Sequence, residues 1–278
     1  MLVCTSMRFE PFHTRLLLRY IEEQQQLRSD SESEYRRVDG GVAIYDAIGW
    51  ETRLILEDTL DCGDVVLSQL QWLASRTDSI RMDLSPLTMG VTPDDLREMG
   101  CEERPGCQVF VRSVMGHDVF RAEDSPLTVE WAQGPRLEET LHAITRGFGE
   151  GEEPSKDMLD MARTYARLGE HMAIVLEDKV IAGAALFVEG ETAYLSGGSV
   201  LPAYRGKHLH EVLIRERLKR AAEMGAKQAW VSSAPGGRSE RNLLRVGFTK
   251  AYLRPHFVFV GASAASRLKC YANPHGRT

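Results

Sequence analysis

Apolar and polar positions alternate with different periods along the chain, and the changes mark out its elements. Leu16, Leu17, Leu18, Tyr20 and Ile21, ahead of a Glu/Gln run, predict a helix over 14–26. The polar stretch 27–38 reads as a loop. Short apolar runs at 41–48 and 52–57 predict two strands, 64–75 a helix and 80–85 a further strand. Thr92-Pro93-Asp94-Asp95 has the form of a helix start: a capping hydroxyl, a proline in the first turn, and acids near the positive helix end. That helix stops at Gly100, and 107–114 reads as a strand.

The period is lost between 115 and 126, and a similar succession then begins again. A strand is expected at 127–132 and a helix from Pro135 to about Thr145. The acidic connection 147–155 leads into a second helix ending near Leu168. Strands follow at 171–177, 179–188 and 192–200, joined by tight turns. From Leu209 to Met224 the pattern is amphipathic. Leu209, Val212, Leu213, Leu218 and Ala221 share a face, while Arg215, Lys219 and Glu223 lie away from it. A strand at 228–233, a helix at 239–246 ending on Gly247, and strands at 248–253 and 256–260 complete the pattern.

The two halves carry a weak repeat. SIRMDLSP ends at Pro86 and QAWVSSAP at Pro235, and each is followed by a short helix bearing L-x-x-x-G, Leu96 to Gly100 and Leu243 to Gly247. The prolines lie 149 residues apart and the glycines 147. Two copies of one α/β unit are the expectation.

Composition excludes several classes of function. The 278 residues carry a net charge of −6, so there is no basic excess to meet a nucleic-acid backbone. The five cysteines are scattered and form no metal-ligand pattern, as expected of reduced thiols. Arg8, Glu10, His13 and Arg15 interrupt the N-terminal apolar run, which is unlike a secretory signal. No stretch approaches the roughly 20 apolar residues that span a bilayer. The expectation is a cytoplasmic protein with no membrane partner and no metal.

The chemistry concentrates at 199–218, SVLPAYRGKHLHEVLIRERL. A strand ends at Val200, Pro202 breaks its ladder, and a tight turn at Arg205-Gly206-Lys207 opens the amphipathic helix. A helix N-terminus offers unpaired N–H groups and partial positive charge, which suits a pyrophosphate. Arg205 and Lys207 add formal charge there.

This segment resembles the acyl-CoA-binding motif of the GNAT superfamily, V-x-P-x-x-R-G-x-G-x-G. Val200, Pro202, Arg205, Gly206 and Lys207 match in place, whereas His208 and His210 replace two glycines. Downstream, APGGRSERNLLRVGF (234–248) is similar to the family's A-P-G-x-x-S-x-R-N-L-x-R-x-G-F. The resemblance covers about half the chain, roughly 126 to 262. It implies an α/β (α+β mixed sheet) fold: a central splayed, mostly antiparallel sheet flanked by helices, here expected in tandem. The expected organisation is a degenerate GNAT-like domain at 1–115, a linker at 116–126, an acetyl-CoA-binding domain at 127–262 and a tail at 263–278.

The resemblance further implies that acetyl-CoA, as cosubstrate, contacts Ser199, Val200, Arg205, Gly206, Lys207, His208, Leu209, His210 and Asn242. An acetyl group would then pass directly to a primary amine on a small-molecule or peptide acceptor. The family's tyrosine acid, four residues before the G-F glycine, is replaced by Leu243. Glu191 and Glu211 are candidates for the base, with Glu189 beside them. His208 and His210 read as motif substitutions. Ser232 and Ser233 line the strand beside the cleft without a G-x-S-x-G context. The alternative is a non-catalytic module that binds acyl-CoA or a small amine. In the first half the matching loop, Thr59-Leu60-Asp61-Cys62-Gly63-Asp64, is acidic where phosphate needs bases.

Overall fold

A computed structural model describes residues 2–29, 31–38, 40–56, 63–85, 88, 91–114 and 127–260, with the side chains of 2–8, 63 and 64 excepted. The expected linker at 116–126 and tail at 263–278 lie outside these residues, as do Pro86 and Thr59 to Cys62. The chain forms two compact units. One takes the chain up to Cys107 together with the chain from Tyr252 onward, and the other takes Gln108–Ala251.

In chain order the first elements are α1 (Leu2–Leu27), β1 (Glu34–Val38), β2 (Gly41–Tyr45), β3 (Arg53–Leu56), α2 (Gly63–Ala74), β4 (Ser79–Leu84), α3 (Pro93–Glu98) and β5 (Glu102–Ser113). Then come β6 (Leu127–Trp131), α4 (Gly134–Phe148), α5 (Lys156–Ala166), β7 (Glu170–Leu176), β8 (Lys179–Glu189) and β9 (Thr192–Val200). A 3₁₀ turn at Pro202–Tyr204 leads to α6 (Leu209–Glu223), β10 (Gln228–Ser233), α7 (Arg238–Arg245) and β11 (Thr249–Val260).

Four expectations are corrected. The helix expected at 14–26 begins at Leu2 and runs through Pro11. The stretch read as a loop contains β1, whose sequence EYRRV lacks apolar alternation because it pairs with β2 alone, at the sheet edge. The strand expected from 107 starts at Glu102, in a polar and largely exposed half. The two closing strands are one, β11.

Within the first unit the strands run β1-β2-β3-β4-β11, and within the second β5-β10-β9-β8-β7-β6. In the registered pairs of each unit, neighbours are antiparallel except β3–β4 and β9–β10. Those two parallel pairs each need a crossover helix, supplied by α2 and α6. In the first unit Val66, Leu70 and Leu73 of α2 pack on Leu54, Leu56, Met82 and Phe257. In the second, Ile214 and Leu218 of α6 pack on Leu195, Ala229 and Val231, and Leu213 packs with Met172 and Ile174. Each such leucine or isoleucine contributes about 1.5–3 kcal/mol by leaving water. On the opposite face, Gly183 of β8 admits Thr140 and Ile144 of α4.

The repeat is present in the fold. Three strands, a helix, a strand, a short helix and a strand occur twice, as β1 to β5 and β7 to β11. β4 and β10 keep the 149-residue spacing, and β5 and β11 keep the 147-residue one. The L-x-x-x-G signature is one capping structure made twice. Gly100 (φ 84°) and Gly247 (φ 86°) take left-handed backbone. The Cys101 N–H then donates to the Leu96 carbonyl, and the Phe248 N–H to that of Leu243, each at 2.9–3.0 Å. The last strands change places: β5 of the first repeat pairs with β10, and β11 of the second pairs with β4.

Candidate active site

β9 and β10 pair over only three rungs, from Thr192↔Gln228 to Tyr194↔Trp230, although both strands continue. Beyond Tyr194 they part. The hydroxyls of Tyr194 and Ser232 lie 3.3 Å apart across the start of the gap. The matching pair in the first unit behaves differently, because β3 stays registered with β4 along its whole length.

The free stretch of β9 is distorted. Gly183 pairs with Ser199 and Ala185 with Ser196, so Gly197 and Gly198 together oppose Ala184 in a bulge. Gly197 carries the left-handed turn at φ 61°. A bulge leaves backbone groups out of the ladder, where a ligand can use them.

A cleft of about 790 Å³ opens at this point. Of the residues expected to meet coenzyme, Ser199, Val200, Arg205, Gly206, His208, Leu209, His210 and Asn242 line it. Lys207 does not line it; its ammonium lies over the Tyr204 ring. The start of α6 opens into the cleft with the unpaired N–H groups of a helix first turn.

The two histidines do different things. His208 occupies the left-handed region at φ 58°, the conformation a glycine would take there, and its side chain is 74% exposed. The loop therefore follows a glycine-like path despite the substitution. His210 turns inward. Burial, reinforced by the Arg217 charge, pushes its pKa down to about 4, so the ring is neutral at physiological pH.

Arg205 is a clamp. Its guanidinium donates to the carbonyls of Val200 (3.2 Å) and Gly147 (2.7 Å) and pairs with Glu150 at 2.6 Å. The end of α4 is thereby held to the end of β9. Gly147 permits this closeness, since a Cβ there would fall 1.9 Å from the Ser199 hydroxyl.

A chain of hydrogen bonds crosses the cleft. Arg245 donates to Glu211 at 2.8 Å and to the Asn242 Oδ1 at 3.1 Å, which leaves the Asn242 amide nitrogen facing His210 Nδ1 at 3.2 Å. Burial works to raise the Glu211 pKa, but hydrogen bonds from Arg245 and His208 outweigh it and hold the carboxyl below its usual value. Beneath the bulge lies Arg217, 2% exposed, which donates to the carbonyls of Leu213, Ala185 and Ser196. Desolvation lowers its pKa to about 9, so it stays a cation at neutral pH.

Glu191 lies at the β8–β9 hairpin, away from the cleft, and pairs with Lys227. Glu189 is on the same hairpin. Leu243, where the family places tyrosine, is buried against the α6 core. Sequence reasoning missed Arg217, Arg238 and Arg241. The last two line the cleft with Arg245, and their i, i+3, i+7 spacing on α7 was the available signal. Among the described residues no cluster of His, Cys, Asp or Glu could hold a metal, and no helix is long and apolar enough to cross a membrane.

Residues 137–248 match the model of the Acetyltransferase (GNAT) family. Solved structures share the fold over most of the chain. A GCN5-related N-acetyltransferase from Kribbella flavida is similar at 15% identity and TM-score 0.61, over 90% of this chain and 97% of that one. A tandem GNAT protein from the clavulanic acid biosynthesis pathway is similar at 10% identity and TM-score 0.59, over 91% and 95%. A GCN5-related N-acetyltransferase from Sphaerobacter thermophilus is similar at 14% identity and TM-score 0.54, over 88% and 90%. No curated protein matches the sequence. The fold is thus the GNAT fold, and tandem GNAT proteins are among those that share it.

Proposed function

We propose that the second repeat is an N-acyltransferase that takes an acetyl group from acetyl-CoA and passes it to a primary amine. The observation that carries this reading is the parting of β9 from β10 after Tyr194, with a cleft against the free edge. An extended pantetheine arm can pair, as an added strand, with the edge of β9 at Ser199 and Val200 that has no registered partner in β10. The first-turn amides from Gly206 to His210 suit the pyrophosphate, with the α7 arginines supplying cationic charge nearby. A thioester carbonyl over the Gly197-Gly198 bulge would meet backbone donors that the ladder leaves free. The amine nitrogen then bonds to the carbonyl carbon, the carbon–sulfur bond breaks with its electron pair going to sulfur, and the nitrogen's proton passes to water.

The first repeat is assigned a supporting role. Its parallel pair does not part, and the sequence of its matching loop is acidic.

Titration calorimetry with acetyl-CoA tests the reading. The wild type should bind, and a Gly206→Asp, Lys207→Glu variant should lose at least about tenfold in affinity, since it places carboxylates at the helix start. Absence of binding by the wild type at millimolar coenzyme would overturn the assignment. Binding without turnover of any amine would instead favour a non-catalytic acyl-CoA-binding module, the reading to which the buried Leu243 lends itself.

A further inference from the structure

We infer that His210 acts in the acyl transfer as a neutral hydrogen-bond donor, its tautomer fixed by the Glu211–Arg245–Asn242 chain. The inference rests on the function proposed above and adds a catalytic residue at a position where the family pattern has glycine.

Glu211 accepts from Arg245, and Arg245 donates to Asn242 Oδ1. A side-chain amide with its oxygen so used can only present its N–H₂ to His210. His210 Nδ1 must therefore accept, and the ring proton sits on Nε2. That nitrogen lies 3.4 Å from where a Cβ on Gly198 would be, so the N–H is beside the bulge. The proposed thioester lies at the same place.

The groups facing the ring agree with a neutral donor. Arg217, whose Nη2 is 3.1 Å from the same Gly198 point, opposes a second positive charge, and Glu211 alone favours one. Glu211 is itself engaged by Arg245 and His208. A neutral imidazole cannot hand over its proton readily, but it can polarise a carbonyl or stabilise sulfur as negative charge develops. No proton is transferred from His210. The departing sulfur keeps the carbon–sulfur electron pair and takes its proton from solvent, while the nitrogen, which attacks as the neutral amine, loses a proton to water once it has bonded to the carbon. Asn242, Arg245 and Glu211 are positioning residues.

Two measurements test it together. Histidine-selective ¹⁵N NMR between pH 6 and 8 should show His210 with a protonated Nε2 and a bare Nδ1. Asn242→Asp should shift the proton to Nδ1 or charge the ring, because a carboxylate can only accept. In kinetics with an amine that the wild type acetylates, His210→Gly should keep the acetyl-CoA Kd within about threefold while kcat falls about 100-fold. His210→Gln, which retains an N–H donor, should recover roughly tenfold of that loss. Wild-type kcat in His210→Gly, or an Nδ1-protonated ring in the wild type, would overturn the inference and leave the acyltransferase reading intact. Failure of the wild type to bind acetyl-CoA by calorimetry would remove both.

Discussion

Asn242 holds His210 by a hydrogen bond of 3.2 Å between α7 and the first turn of α6. The ring so held is neutral and half-buried, and His171, which is buried, likewise has its pKa lowered to about 4, with desolvation the main cause for both. In the unfolded chain both would titrate near 6.5. Protonation therefore favours unfolding. The stability they contribute is complete above about pH 6.5 and is lost as pH falls toward 4, at up to about 1.4 kcal/mol per pH unit for each ring. Urea denaturation across pH 4–8 should show this slope, and His210→Gly should flatten it. An unchanged slope in the variant would mean that His210 charges freely in the folded protein.

Gly147→Ala tests the closeness of α4 and β9. The new methyl would meet the Ser199 hydroxyl at far less than contact distance. The helix end must move, which costs about 1–3 kcal/mol. Denaturant midpoints report the cost, and acetyl-CoA affinity should fall with it because the same residue lines the cleft.

His208→Gly should stabilise the protein. The αL backbone at φ 58° strains a residue with a Cβ by about 1 kcal/mol. The lost contact is a 3.3 Å interaction with Glu211 from an exposed ring. A gain of about 0.5–1 kcal/mol in unfolding free energy, with kcat unchanged, is the expected result. A loss of stability would show that the ring matters more than the backbone does.

Arg217→Met would leave the Ala185 and Ser196 carbonyls without their donor. Even though a buried charge is removed, the cost should be about 2–3 kcal/mol, because buried acceptors without partners are expensive. Arg217→Lys should fall between, since one ammonium cannot span the bulge as a guanidinium does. Thermal and urea unfolding of the three proteins checks the order.

Arg205→Met should release the end of α4 from β9 without touching the reacting atoms. The expected outcome is a KM for acetyl-CoA raised about tenfold at nearly constant kcat, the pattern of lost uniform binding. A fall in kcat alone would instead place the guanidinium at the reaction.

Much of this was legible in the sequence because the informative signals are local. The P-A-Y-R-G turn, the amphipathic period of 209–224 and the two L-x-x-x-G caps each depend on residues within a turn or two. What stayed hidden depends on long-range pairing. β1 is polar because it is an edge strand that pairs with β2 alone, so no alternation marks it. Arg205 reads as a phosphate ligand until Gly147 and Glu150, 58 and 55 residues away, are in view beside it. His210 reads as a mere replacement of glycine for the same reason, since its meaning comes from Asn242, 32 residues away. Glu211 was a candidate base on charge alone, and its place in the chain of hydrogen bonds required Arg245 to be seen beside it.

The exchange of β5 and β11 between repeats governs how the chain can be made. A ribosome releases β4 long before β11, its antiparallel neighbour, exists, and β5 waits for β10 in the same way. Neither set of strands can be completed until β10 and β11 have been made, so late, high-contact-order closure should limit the folding rate. Cutting between the repeats would yield two fragments, each bearing a strand that belongs with the other. Mixed together, such fragments have a specific route to reassembly; kept apart, each presents an open sheet edge to its own copies.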